Sequence, residues 1–157
     1  MRKTQKGFSL IELLIVVAII LIIAAIAIPN LLRARISANE ASAVSSMRTM
    51  NTACITYNST YGSYPAAISN LKPSNGAVPT STDADLLDQV LAPASGNAQK
   101  SGYNFLYTAG SSNQSYTVLG YPVTVNQTGV RFFFTDQSGV IRFNATQEAA
   151  VTDSPLQ

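Results

Sequence analysis

From Phe8 to Ile28 the chain runs through 21 residues that are almost wholly apolar, with one charged side chain, Glu12, set inside them. At about 1.5 Å per residue a helix across this run spans roughly 30 Å, one bilayer core. A helix that is apolar on every side must lie in lipid or be surrounded by other protein. The 157-residue chain keeps about 130 residues outside the run, enough for a single modest core. That is too little to enclose such a helix as well. The carboxylate sharpens the constraint, because a charged side chain in hydrocarbon costs roughly 2.5–3.5 kcal/mol on insertion scales. Glu12 therefore calls for a partner.

Residues 1–7, "MRKTQKG", form a short positive head with Arg2, Lys3 and Lys6. Positive charge ahead of a span favours an N-inside, C-outside orientation, and Arg33 and Arg35 beyond it weaken that bias. Three readings are open. One is an ordinary signal peptide, with Ala25–Ile26–Ala27 as an A-x-A cleavage site. The second is a plain membrane anchor. Neither accounts for a carboxylate near the start of the span.

The third reading rests on the residues "KGFSLIELLIVVAIILIIAAIAIP". A basic leader ends in Gly7, Phe8 follows, Glu12 stands four residues on, and a membrane-length apolar run continues. This stretch resembles the N-terminus of a type IV pilin or type II secretion pseudopilin precursor. The resemblance implies cleavage between Gly7 and Phe8 by a membrane-bound prepilin peptidase and N-methyltransferase, which also methylates the new amine on Phe8. It implies that Glu12 serves subunit assembly, pairing with the Phe8 ammonium of a neighbouring copy. Phe8 and Glu12, four apart, also share one face of a helix. Pro29 removes a backbone donor and crowds the carbonyl of Ala25, which reads as a helix kink at the membrane boundary; the resemblance implies a segment that loosens there when the helix packs into a fibre.

Beyond Pro29 the helical period continues. Ile36, Glu40, Ala43, Met47, Met50, Cys54, Tyr57 and Tyr61 are spaced alternately by four and three, and all but Glu40 are apolar or aromatic. Gly62 and Pro65 end the stripe. Residues 62–102 form a connecting region rich in turn residues, in which "STDADLLDQVLAP" reads as a short helix capped by Ser81 or Thr82 and ended by Pro93. Residues 103–144 read as antiparallel strands: "YNFLYTA" and "SYTVLGYPV" alternate, and "RFFFTDQSGVIRF" is a hairpin turning at "DQSG". Residues 145–157 read as a polar tail. The expected fold is α+β: a leader (1–7), a long N-terminal helix with a transmembrane half (8–28) and an amphipathic half (29–61), and a three- to four-stranded antiparallel sheet packed on the latter.

Composition narrows the chemistry. The chain has no histidine and one cysteine, Cys54, so His-based catalytic triads, Cys/His metal clusters and an intrachain disulfide are excluded. Cys54 on the apolar stripe reads as a small buried hydrophobe or as an intermolecular bridge. Asp83, Asp85 and Asp88 read as a solvated helix start rather than a cation site. No catalytic, cofactor-binding or metal-ligating set emerges, and the chain is not expected to be an enzyme. Ten basic and eight acidic residues give +2, but without Arg2, Lys3 and Lys6 the balance is 7 − 8 = −1. The basicity belongs to the leader, and no intrinsic nucleic-acid binding is expected.

The resemblance implies a structural function: a type IV pilus subunit that polymerises with itself through its apolar helix, with an inner-membrane assembly platform as a further partner. The precursor would sit in the bacterial inner membrane and the assembled form outside it. A secretion pseudopilin is the alternative, and a membrane-anchored extracytoplasmic binding module is the alternative of a different class.

Overall fold

The computed structural model describes residues 8–156. The leader, with Gly7, and Gln157 lie outside the described residues. Two units are distinguished, the first ending at Arg35 and the second beginning at Ile36. Helix α1, Leu10–Tyr61, contributes to both and contains Pro29.

In the first unit the helix is capped at Ser9, just ahead of Leu10. The Ser9 backbone N–H donates to Glu12 Oε2 at 2.9 Å, and Leu13 N–H donates to the Ser9 carbonyl at 3.2 Å. Ser-x-x-Glu is a capping-box sequence, in which the acid three residues on satisfies a backbone donor that the first turn would otherwise leave without a partner. The side chains from Leu10 to Ile28 are exposed almost throughout.

In the second unit, α1 ends where Gly62, at φ +77°, donates its N–H to the Asn58 carbonyl at 2.8 Å. Glycine takes this left-handed conformation without a Cβ penalty, which closes the helix. Five strands follow: β1 (Ala98–Lys100), β2 (Tyr103–Ala109), β3 (Tyr116–Pro122), β4 (Phe132–Asp136) and β5 (Arg142–Asn144). They form one meander, each strand antiparallel to the next. The expected α+β architecture is found with one strand more than the three to four read from the sequence. The extra strand, β1, has three residues, too few to show an alternation, and exists because Ala98 and Lys100 pair with Phe105 and Tyr103.

Alternation sets the faces of the longer strands. Tyr103 and Phe105 of β2, Tyr116 and Val118 of β3, and Phe133 of β4 are buried, as are Met47, Met50, Cys54 and Tyr57 of α1. These residues belong to one core cluster. At Gly120 a Cβ would come within 3.1 Å of the Met47 sulfur. The glycine lets the helix approach β3 closely.

The connecting region departs from expectation. The short helix expected in "STDADLLDQVLAP" does not form; the helical turn in this region lies earlier, a 3-10 turn at Ile68–Leu71. The backbone donors of Ala84, Asp85 and Leu87 go to the carbonyls of Asn70, Lys72 and Leu71 instead of to their own preceding turn. Asp85 sits at φ +55°, which no helix interior tolerates. Asp83 is drawn to Lys72 by an ion pair at 2.6 Å, and the Ser81 carbonyl accepts from Tyr57 and Asn70. A single turn forms later, where Asp88 Oδ1 accepts the Leu91 N–H at 2.8 Å.

The final segment is more than a polar tail. Phe143 N–H donates to the Ser154 carbonyl, Leu156 N–H donates to the Ile141 carbonyl, and Ala149 is buried. The chain thus returns along the β5 edge and shields the backbone groups an edge strand exposes.

Candidate functional site

The first unit carries the residues that the sequence singles out. Phe8 is 78% exposed, and the side chains of Leu10, Ile11, Leu13 and Leu14 beside it stand more than half exposed. Each large apolar side chain removed from water there stabilises insertion or assembly by about 1.5–3 kcal/mol. Glu12 is positioned by the capping contact: one carboxylate oxygen is held by Ser9, and among the described residues Oε1 has no donor. The sequence reading paired Glu12 with Phe8 and missed Ser9. The signal was present as "SLIE". Pro29 lies within α1.

The arrangement suits a surface that is completed by something else. It offers an exposed aliphatic helix and a single carboxylate near its start. Comparison with known proteins bears on this segment. Residues 2–28 match the prokaryotic N-terminal methylation motif. The N-terminal segment is prepilin-like. Over 38 residues the chain is 66% identical to the type IV wide pilus major component PilA4 of Thermus thermophilus, a stretch that is 24% of this chain and 29% of that protein. No solved structure matches the chain.

Beyond that segment the chain uses its polar groups to hold the second unit together. Glu40, the one break in the apolar stripe, is 6% exposed. Its carboxylate accepts from the backbone N–H groups of Val130 and Arg131 and from Arg131 Nε. Burial alone would raise its pKa, but these donors and the guanidinium charge together hold it below the usual carboxylate value of 4.5. The pairing partner, Arg131, lies in the strand region, far beyond any periodicity that Glu40 could report. Three helical turns on, Asn51 donates to Thr135 Oγ1 at 2.8 Å and accepts from Tyr116 at 3.0 Å, both within the core.

Cys54 is wholly buried, and burial pushes its thiol up to about 12. It packs as a small hydrophobe, and its sulfur offers no surface to a second chain. Asp83, Asp85 and Asp88 do not converge, and no group of three metal-binding side chains occurs among the described residues.

Proposed function

We propose that this prepilin-like chain is the structural subunit of a type IV pilus. In this reading a membrane peptidase cuts between Gly7 and Phe8 and methylates the Phe8 amine. Until then the precursor is held N-inside in the inner membrane by the 8–28 helix. Subunits leaving the membrane through an assembly platform bury their apolar helices against one another. The similarity to the N-terminal methylation motif and to a pilus component supports a pilus or pseudopilus subunit. The observation that carries the reading is the aliphatic helix surface with Glu12 held at its first turn.

The role of Glu12 follows from charge. Cleavage converts the Phe8 peptide nitrogen to an ammonium, and burying that ammonium without a carboxylate costs about 3–5 kcal/mol. Glu12 of an adjacent copy supplies the carboxylate and selects one axial register among otherwise interchangeable apolar contacts. Ser9 keeps the side chain turned toward the helix start in the meantime.

The test compares wild type, Gly7→Leu and Glu12→Ala for mature mass and for filaments sheared from cells. Wild type should begin at Phe8 with one added methyl. Gly7→Leu should stay uncut and membrane-bound. Glu12→Ala should be cut and methylated yet yield few or no filaments. Normal filaments from Glu12→Ala would refute the pairing, and a mature start at Ile28 would favour a signal peptide instead. Short periplasmic assemblies, with no extracellular filament, would assign the chain as a pseudopilin.

A further inference from the structure

A cleft of about 450 Å³ opens in the second unit between α1 and the connecting region. Its size lies within the range of small-molecule sites, roughly 300–1,000 Å³. One wall is a row of hydroxyls, Ser42, Ser45, Ser46 and Thr49, at helical spacing; the opposite wall carries Asp85, Asp88 and Lys100. Leu87 and Leu91, both buried, supply apolar surface between them.

Ser46 distinguishes this cleft from a chance gap. It is only 4% exposed, and its hydroxyl makes no hydrogen bond among the described residues. No fully enclosed side-chain polar atom among them lacks a partner, so the Ser46 oxygen opens into the cleft that it lines. A hydroxyl so nearly buried and without a protein partner takes its hydrogen bond from within the cleft, from water or from a ligand that displaces it. Its neighbours retain capacity too. Thr49 donates to the Ser45 carbonyl and Ser42 donates to Ser101, which leaves both hydroxyl oxygens able to accept. Lys100 and Asp88 face each other at 3.8 Å, and Asp88 Oδ1 is engaged by Leu91. Asp85 Oδ1 receives only a long contact, 3.4 Å, from Ser74 N–H.

The donor and acceptor set selects among ligand classes. Two carboxylates against one ammonium repel a polyanion. Two carboxylates are too few for a hard divalent cation, which takes six or more oxygens. An apolar ligand would leave the hydroxyls without partners. A neutral polyhydroxy ligand satisfies every group: its hydroxyls donate to Asp85 and Asp88, accept from Lys100 and Ser46, and its C–H face lies on Leu87 and Leu91.

We propose that this cleft binds a neutral saccharide unit, with Asp85 and Ser46 as its principal polar contacts. The site is independent of the filament reading, since it is complete within one chain.

The test uses the full-length chain in a zwitterionic, sugar-free detergent, with saturation-transfer NMR. The probes are the methyl glycosides of glucose, galactose, mannose and N-acetylglucosamine. At least one should show transfer with a Kd on the order of a millimolar, as befits a small ligand in an open polar cleft. Asp85→Asn, which suits the left-handed backbone there, and Ser46→Ala should each weaken it about tenfold, the loss of a hydrogen bond involving a charged or buried group. Thr49→Val is an additional variant on an exposed position. Circular dichroism melts should match wild type for all three. Absence of transfer from every glycoside would overturn the proposal, as would transfer that none of the variants weakens. Displacement of the glycoside by millimolar butylammonium or inorganic phosphate would also overturn it, since the cleft would then be a charge site.

Discussion

Arg131 Nε donates to Glu40 Oε2 at 2.7 Å, and the backbone N–H groups of Val130 and Arg131 meet the other carboxylate oxygen at 2.9 and 3.1 Å. A single helix side chain thereby fixes the chain as it enters β4. Arg131 in turn stacks over Phe133 and Phe143, 5.6 Å from each ring centre, so the ion pair and the aromatic cluster hold one another in place.

Replacing Glu40 with Ala should destabilise the second unit by about 2–3 kcal/mol, because two backbone donors lose a buried acceptor. Glu40→Gln, which keeps an oxygen, should cost about half as much. Chemical denaturation of both variants measures the difference.

The same carboxylate makes stability depend on acid. Its pKa is lower in the folded chain than its ordinary value of 4.5. Its contribution is therefore complete above that value and is lost as pH falls through the lower, folded-state pKa. Melting temperature followed from pH 6 downward should drop less steeply in Glu40→Gln than in wild type.

Asn51→Leu should cost about 1–3 kcal/mol for each core hydroxyl left without a partner, Thr135 and Tyr116. Adding Tyr116→Phe should cost less than the two single changes summed, since the second change removes a group already without its partner. A double-mutant cycle in urea reads the coupling directly.

Cys54 should resist alkylation. Its thiol is buried and pushed up to about 12, so almost no thiolate is present at pH 8. Iodoacetamide should label it only as the second unit unfolds, and non-reducing gels should show no disulfide-linked dimer. Rapid labelling of the folded chain would place Cys54 at an accessible surface instead.

At Gly129 a Cβ would overlap the Tyr103 ring, whose hydroxyl donates to the Arg131 carbonyl at 2.8 Å. Tyr103 is fully buried and cannot swing aside. Gly129→Ala should therefore destabilise by about 1–3 kcal/mol through overpacking, and Tyr103→Phe in the same chain should recover little of it.

What the sequence determined by itself was whatever depends on near neighbours. The 8–28 run, the three-and-four spacing through Tyr61, the alternation in "YNFLYTA" and the "DQSG" turn each report a helix, strand or hairpin, because side-chain direction repeats with the local backbone period. The Gly7–Phe8–Glu12 spacing and the membrane-length run made the prepilin resemblance legible in the same way. The tertiary structure decided where backbone and charged groups find partners distant in the chain. Residues 84–87 gave their donors to residues 70–72 and so formed no helix; β1 exists only through β2; the last residues lie along β5. Glu40 looked like a flaw in an apolar stripe until Arg131 met it. A hydrogen bond or ion pair carries no period, and the loop-closure cost that opposes a distant pairing is offset only by the whole core forming at once. For that reason such pairings become visible only when the chain is folded.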